Sequence, residues 1–293
     1  MATDVVAVGV RRRRVAALSW RRLFSHSSFV VGAAIVAGVV AAALLAPLVT
    51  SYNPIEQSFR DQLLQPSRGH LFGTDEFGRD IFARVVYGAR IALIVGVVAD
   101  GLAAVLGVAL GVLSGYFGRR VDAVLMRIVD VVLAFPYLLL AMIVVAILGP
   151  SLINAMIAIG IVYTPQFARV VRGVVLQIKE EDFVEAARAE GAGSLRILGR
   201  HILPNILSPI IVMATLTVGY MIVETAGLSF LGLGASPPTP EWGSMLATGR
   251  SFMLTAPWIA TFPGLAILVT VVGFNLIGDG LRDLLDPRLR GRQ

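Results

Sequence analysis

The chain contains no cysteine, which excludes disulfides, thiolate metal sites, iron–sulfur clusters and cysteine nucleophiles together. It has only three histidines, His26, His70 and His201, and their spacing is not that of metal ligands. Charged residues make up only 15% of the 293 residues and hydrophobic residues make up 56%. The mean hydropathy is +0.80. This composition excludes an ordinary soluble domain and predicts a membrane protein without a catalytic residue, metal or cofactor of its own.

Lysine is almost absent as well, because every basic residue except Lys179 is an arginine. A phosphate-binding loop needs glycines followed by a Lys-Ser or Lys-Thr pair, and Lys179 is followed by Glu180. We therefore predict that ATP and magnesium act only through partner subunits. The basic residues give a net charge of +6 and flank apolar runs, instead of forming a basic face rich in aromatic residues. This distribution favours contact with membrane lipid over nucleic-acid binding.

Long uncharged runs predict the number of membrane spans. A hydrocarbon core about 30 Å thick needs roughly 20 helical residues. We predict an all-α integral membrane protein with six transmembrane helices: 29–51, 91–117, two within 131–168, 202–223 and 251–278. The second predicted helix contains Asp100, and the turn at 149–151 separates the third from the fourth.

The arginines predict the orientation, because short cytoplasmic loops retain Lys and Arg. With both termini cytoplasmic, 19 of the 25 Lys and Arg residues lie on the cytoplasmic side. The first predicted segments are an Arg-rich cytoplasmic tail (1–28), the first membrane helix (29–51) and an extracytoplasmic segment (52–90). They are followed by a core of five membrane helices (91–281), which contains a long cytoplasmic loop (179–204), and by a second cytoplasmic tail (282–293). A cleaved signal peptide or a twin-arginine signal at Arg21-Arg22 is the alternative for the N-terminus.

Three glycines of the second span, Gly107, Gly111 and Gly115, recur every four residues. Residues four apart share one face of a helix, and a face without side chains permits close helix contact. We expect this face to pack against a neighbouring helix.

The long cytoplasmic loop contains a pattern that predicts a short helix. Asp182 can cap this helix, and the small residues Ala187 and Gly191 lie four apart, so that one face could lie close to a partner protein. Pro204 is tolerated in the first turn of the next span. The residues alone leave two interpretations open, a docking helix and a solvated amphipathic connector.

The same loop resembles the cytoplasmic signature of the permease subunits of bacterial ABC importers. The residues that match are Glu185, Ala186, Ala187, Gly191, Leu203 and Pro204. The general signature prefers an apolar residue at position 201, where this chain has His201. The sequence His-Ile-Leu-Pro-Asn over 201–205 is similar to the peptide branch of the family. This resemblance implies that the six matching residues couple the chain to an ATP-binding subunit.

Further stretches resemble the C-type permease of dipeptide and oligopeptide importers: 72–80, 126–130 with 134–136, 227–234, 237–245 and 275–287. The resemblance implies the type I ABC importer permease fold in the bacterial inner membrane. It also implies a second homologous permease, two ATP-binding subunits and an extracytoplasmic solute-binding protein as partners. Peptides are the implied cargo, with glutathione, nickel complexes and opines as alternatives.

Several residues allow two interpretations. Glu224, near the outer end of the fifth span, could contact cargo or relay protons, or could pair with backbone donors. Asp130 is predicted to form a local ion pair with Arg127 rather than a gate. Trp242 and Trp258 are predicted to anchor the chain at the membrane interface. The charged turn at 72–80 is predicted to serve outer-loop packing rather than binding.

Two other functional classes remain as alternatives. An ion-coupled secondary transporter would place acidic residues near the midplane and show inverted repeats. Asp100 is the only acidic residue deep in a predicted span, and no convincing repeat is evident. An intramembrane enzyme would need a nucleophile and base, or metal ligands, facing one another, and no predicted span offers such a set.

Overall fold

The computed structural model describes residues 26–285, and this part of the chain consists of helices and connecting turns. Its only β-pairing within those residues is an isolated bridge between Thr74 and Asp80. The predicted all-α class is confirmed. Most of the predicted N-terminal tail 1–28 and of the C-terminal tail 282–293 lies outside the described residues.

Besides a 3₁₀-helix at Phe59–Asp61, the described residues before the tight turn at 149–151 form five α-helices. They are α1 (Ser27–Leu44), α2 (Ala46–Val49), α3 (Ile81–Phe117), α4 (Arg119–Leu133) and α5 (Tyr137–Leu148). The second half forms two long helices separated by short ones, followed by a last long helix. They are α6 (Leu152–Ile178), α7 (Asp182–Ala189), α8 (Ser194–Ile197), α9 (Leu203–Phe230), α10 (Trp242–Arg250) and α11 (Trp258–Leu285).

Helix length and apolar composition identify fewer membrane spans than the uncharged runs do. Four helical stretches of the described chain are long and apolar enough to cross a membrane, and they contain α1, α3, α9 and α11. A bent pair, α4 with α5, would make a fifth. Helix α6 is long enough but is not among them, and it carries Gln166, Arg169 and Arg172 in its second half. By helix length and apolar composition, the described chain therefore has four or five candidate spans, fewer than the six predicted.

Helix α3 begins well before residue 91, where the uncharged run starts. Asp80 caps it, because the side chain accepts a hydrogen bond of 2.7 Å from the N–H of Ala83. The two arginines between the start of α3 and residue 91 are satisfied by carbonyl groups. Arg84 is buried and donates to the carbonyl of Pro54 at 2.7 Å, and Arg90 donates to carbonyls at the end of α1. Arg84 and Arg90 therefore lie within α3, and these charged residues do not mark its N-terminal end.

The predicted third span is broken at residues 134–136. Helices α4 and α5 meet there at 93°. Pro136 disfavours helical geometry at Phe135, which ends α4. Helix α5 has only 12 residues, a length of about 18 Å. It is therefore too short to cross a bilayer alone.

Helices α3 and α6 form the most extensive helix pair in the described chain. The glycine face of α3 lies directly against α6. A Cβ atom added at Gly111 would lie 2.6 Å from the backbone oxygen of Ala168, and one at Gly115 would lie 2.8 Å from the Cβ of Val175. Only a residue without a side chain fits at these positions, so the strip sets the distance between the two helices.

Three apolar clusters form the core. One lies between α3, α5, α6 and α9, a second joins α1, α3, α9, α10 and α11, and the third joins α3 and α6 to α7 and the start of α9. The third cluster is the one that positions the loop 179–204.

Candidate functional site

The loop 179–204 contains the short helix α7, as predicted, but its capping differs from the prediction. The N-cap residue is Glu181, without a side-chain cap, and Asp182 is the first helical residue. At the other end, Gly191 has φ of +81°, its N–H donates to Arg188, and the N–H of Ala192 donates to the carbonyl of Ala187 at 2.9 Å. This is the hydrogen-bonding pattern of a glycine-terminated helix. Gly191 therefore serves the chain reversal after α7.

One face of α7 belongs to the protein interior. Val184 and Ala187 are buried in the third cluster together with Val112 of α3 and Val175 of α6. This packing attaches α7 to the ends of the two long helices. A displacement of α7 would therefore displace α3 and α6 with it, because packed interiors deform little.

The opposite face of α7 is exposed. Glu185 and Ala186 are exposed, as are Gly191, Leu203 and Pro204, so five of the six signature residues lie at the surface and Ala187 does not. A Cβ atom added at Gly191 would meet open space, with no contact within 4 Å beyond its chain neighbours in the described residues. The signature residues thus form an exposed helix face followed by a reversal and the start of α9.

An open groove of about 640 Å³ runs beside α7. It is bordered on one side by α7 and on the other by the segment after Gly193, with lining residues that include Asp182, Phe183, Ala186, Glu190, Arg200 and His201. Phe183 is 41% exposed, and Leu195 nearby is 87% exposed. The groove thus combines an exposed aromatic side chain with charged residues of both signs.

A second cavity, of about 660 Å³, lies along α9 and α6. Its walls are mainly apolar, and Arg282 is the one charged residue among the described residues that line it. Tyr220 forms one end of the α9 wall. One turn further along α9, Glu224 is half-buried and lies beside the side chains of Tyr163 and Tyr137. The partners of Glu224 are therefore two tyrosines rather than the backbone donors of the alternative interpretation.

Two acidic residues have partners that their sequence neighbours do not reveal. Asp100 is buried in α3 and accepts a hydrogen bond from the hydroxyl of Thr217 in α9. Asp130 forms an exposed ion pair of 2.8 Å with Arg169 of α6. The predicted pairing of Asp130 with Arg127 is therefore wrong. The carboxylate of Asp130 contacts Arg169 on the neighbouring helix α6 instead of Arg127 on its own helix. Within residues 26–285, no group of His, Asp and Glu is arranged to hold a metal ion.

Comparison with known proteins identifies the family. Residues 107–291 match the family described as the binding-protein-dependent transport system inner membrane component. The chain belongs to this family. Residues 16–66 of the permease also match the N-terminal transmembrane domain of oligopeptide transport permease C. The permease is thus a non-catalytic, multi-pass inner-membrane component of a transport system that depends on a binding protein, and the predicted family and location are confirmed.

Its curated relatives are similar over most of their length. The permease is 51% identical to the dipeptide transport system permease protein DppC of Alkalihalophilus pseudofirmus, over 92% of this chain and 90% of the relative. It is 47% identical to the di/tripeptide transport system permease protein DppC of Pseudomonas aeruginosa, over 86% and 85%. It is also 47% identical to the glutathione transport system permease protein GsiD of Escherichia coli O6:K15:H31, over 93% and 90%.

A solved structure shows the same fold. The permease matches a chain of the inward-facing MetNI methionine ABC transporter with a TM-score of 0.59 and 21% identity, over 70% of this chain and 98% of that one. The family match from residue 107 onward includes α7, its groove and all of α9. Both candidate sites of the permease therefore lie in the part that defines the family.

The segment before α3 forms a buried ionic cluster in the permease. Asp75 is buried and lies 2.6 Å from Nε of Arg79 and 3.6 Å from Nε of Arg84. Burial raises the pKa of the neighbouring Glu76 above its usual range. His70 lies 2.9 Å from the carboxylate of Asp80, the cap of α3. The turn at 72–80 is thus packed into the protein.

The prediction of an interfacial anchor is wrong for Trp242, which is buried, whereas Trp258 is half-buried. Trp242 is 3% exposed and its indole N–H donates to the carbonyl of Val85 at 2.9 Å. The indole of Trp258 donates to the carbonyl of Thr74 at 3.1 Å. Both rings therefore join the last outer segment to the start of α3. At the same place, burial raises the pKa of Glu241, although the N–H groups that it caps at the start of α10 oppose this.

Proposed function

We propose that the permease is a transmembrane subunit of an ATP-driven importer that carries di- or oligopeptides delivered by an extracytoplasmic binding protein. The observation that carries this proposal is the similarity to relatives named for dipeptides and di/tripeptides, at 51% and 47% identity over most of both chains. The partners are a second homologous permease, two ATP-binding subunits and the binding protein.

The proposed topology has six crossing segments with both termini in the cytoplasm. These segments are α1, α3, the bent pair α4–α5, α6, α9 and α11. Helix α6 has 27 residues, about 40 Å, which exceeds the hydrocarbon thickness. The bias of Lys and Arg to the proposed cytoplasmic side supports this orientation.

Helix α7 is the proposed coupling helix, which docks on an ATP-binding subunit. Its buried face, Val184 and Ala187, transmits movement to α3 and α6, while Glu185 and Ala186 face the partner. ATP binding can shift the transport cycle only as far as it favours one permease conformation over the other, so this attachment must be stiff. The positive φ of Gly191 supports a structural role for this residue in the turn after α7, in addition to any contact with the partner.

Variants of the exposed face test the coupling. Ala186→Leu enlarges an exposed side chain without entering the core, and Glu185→Ala removes an exposed carboxylate. We expect each to weaken recovery of the ATP-binding subunits in a pull-down and to lower transport. Glu180→Ala, which removes an exposed acid just before α7, is the matched control and should keep both. Normal pull-down and transport for Ala186→Leu would contradict docking through this face.

Purification of the permease from native membranes tests the function as a whole. We expect a second permease and ATP-binding subunits to purify with it. In vesicles that contain this complex and the binding protein, we expect uptake of a radiolabelled dipeptide that requires ATP. Uptake of labelled glutathione but not of dipeptides would instead match the glutathione relative. Uptake without any ATP-binding subunit would refute the importer assignment.

A further inference from the structure

A polar cluster lies one helical turn beyond the residues that line the cavity along α9. The cavity walls include Gln166 and Val170 of α6 and a row of α9 residues that ends at Tyr220. Residues three or four apart lie on the same helix face. Tyr163 lies three residues before Gln166, and Glu224 lies four residues after Tyr220. Tyr163 and Glu224 therefore extend the two walls at one end, which is the outer end in the proposed topology.

Three helices contribute to this cluster. The side chain of Glu224 in α9 lies beside Tyr163 of α6 and Tyr137 of α5. The two tyrosine rings lie 5.8 Å apart at their centroids, inclined at 60°. Tyr220, which is 55% exposed, lies one helical turn before Glu224 on α9. The carboxyl group thus lies beside aromatic side chains, one helical turn beyond Tyr220 of the cavity wall.

In the part of the chain that the structure describes, no cation is paired with this carboxyl group. Within residues 26–285, none of the ion pairs includes Glu224, whereas Asp75, Asp80, Asp122 and Asp130 all have a basic partner. Its two neighbouring polar side chains are tyrosines. An acidic residue in a membrane helix is costly unless it is paired or serves a ligand. A carboxylate among aromatic rings is suited to an ammonium group, through a charge-assisted hydrogen bond and cation–π attraction.

We infer that Glu224, with Tyr137 and Tyr163, forms a subsite for the N-terminal ammonium group of the peptide cargo at the entrance of the cavity along α9. This inference rests on the proposed peptide import, because a peptide carries this ammonium group whatever its side chains are. The cavity of about 660 Å³ lies within the range of about 300–1,000 Å³ of small-molecule sites. Its apolar walls accept varied side chains, while the acid recognises the shared end.

Photolabelling of the assembled importer tests this inference. Two tripeptides carry a photoreactive leucine at either the first or the third position, and both keep a free amino terminus for the binding protein. We expect the first-position probe to label α9 within one turn of Glu224, and the third-position probe to label positions further along the cavity. Equal labelling near Glu224 by both probes, or by neither, would overturn the subsite. This comparison uses the wild-type complex and needs no variant.

Variants then test the charge. Glu224→Gln should lower labelling by the first-position probe about tenfold, as expected for a lost charged hydrogen bond, and Glu224→Asp should retain most of it. Glu56→Gln, which removes an exposed acid elsewhere, should have no effect. The alternative is that Glu224 only stabilises the packing of the helices. In that case the double variant Tyr137→Phe with Tyr163→Phe should reduce the yield of the complex as much as Glu224→Gln does, and this result would overturn the inference. Failure of wild-type dipeptide uptake would refute the proposed function itself, whereas normal uptake with unselective labelling would refute only the subsite.

Discussion

Replacing Gly111 by alanine tests the contact between α3 and α6. The new Cβ atom would lie 2.6 Å from the backbone oxygen of Ala168 and 2.7 Å from the Cβ of Val171. Non-bonded heavy atoms pack at about 3.5–4.0 Å, so the two helices would have to separate by about 1 Å. Neither neighbouring atom belongs to the end of a flexible side chain, so the strain cannot be relieved by a rotamer change.

The expected cost follows from this geometry. Overpacking in a close-packed interior costs about 1–3 kcal/mol. We expect Gly111→Ala to lower the thermal midpoint of the purified permease and its abundance in membranes, and Gly111→Leu to prevent assembly. Thermal denaturation followed by intrinsic tryptophan fluorescence in one detergent measures the first effect, and immunoblotting of membranes measures the second.

The same helix offers a matched control. Gly101 also lies in α3, but a Cβ atom there would have nothing within 4 Å among the described residues. Gly101→Ala should therefore leave the thermal midpoint unchanged or raise it, since alanine favours a helix by about 1 kcal/mol over glycine. Equal midpoints for Gly111→Ala and Gly101→Ala would refute the argument that the glycine face sets the helix distance.

Three further predictions concern other parts of the chain. A single cysteine at the exposed Ser236 should react with an impermeant thiol reagent from outside and one at the exposed Ser194 should not; the reverse pattern would contradict the topology. Gly191→Asn should preserve more transport than Gly191→Leu, because asparagine tolerates a positive φ; equal loss would show that size matters there instead. Asp75→Asn should destabilise the permease by about 3–5 kcal/mol, because it removes the charged carboxylate between two buried arginines, whereas Asp130→Asn in an exposed pair should cost at most about 1 kcal/mol. Thermal denaturation compares the last two, and equal effects would contradict the buried cluster.

Local patterns in the sequence were sufficient for the class of protein and for the position of the loop helix. An apolar composition with few charges admits only a membrane protein, and a short charged segment with small residues between two apolar runs predicts α7. The four-residue spacing of Gly107, Gly111 and Gly115 identifies a helix face, because helical periodicity is a local property. That the partner of this face is α6 depends on packing between distant segments.

Errors in the sequence predictions share one cause. Trp242 was expected at a membrane interface, yet it is buried and bonded to Val85 in α3. Asp130 was expected to pair with its neighbour Arg127, yet it pairs with Arg169. In each case the real partner is distant in sequence, and its proximity results from how the helices bend and pack. The sequence also did not reveal that Tyr137 and Tyr163 lie beside Glu224. A single tyrosine within an otherwise apolar run could have indicated a polar partner for this acid.

The sequence alone therefore determined that the chain is helical, that it lies in a membrane, and which family it resembles, because composition, periodicity and motifs are encoded along the chain. Only the tertiary structure decided where α3 begins, that α4 and α5 are bent apart, and which groups hydrogen-bond with the buried side chains of Arg84 and Asp100. Those features depend on carbonyl and hydroxyl partners far away in sequence, such as Pro54 and Thr217. A buried polar group is stable only where such a partner is in place, and only folding brings the two together.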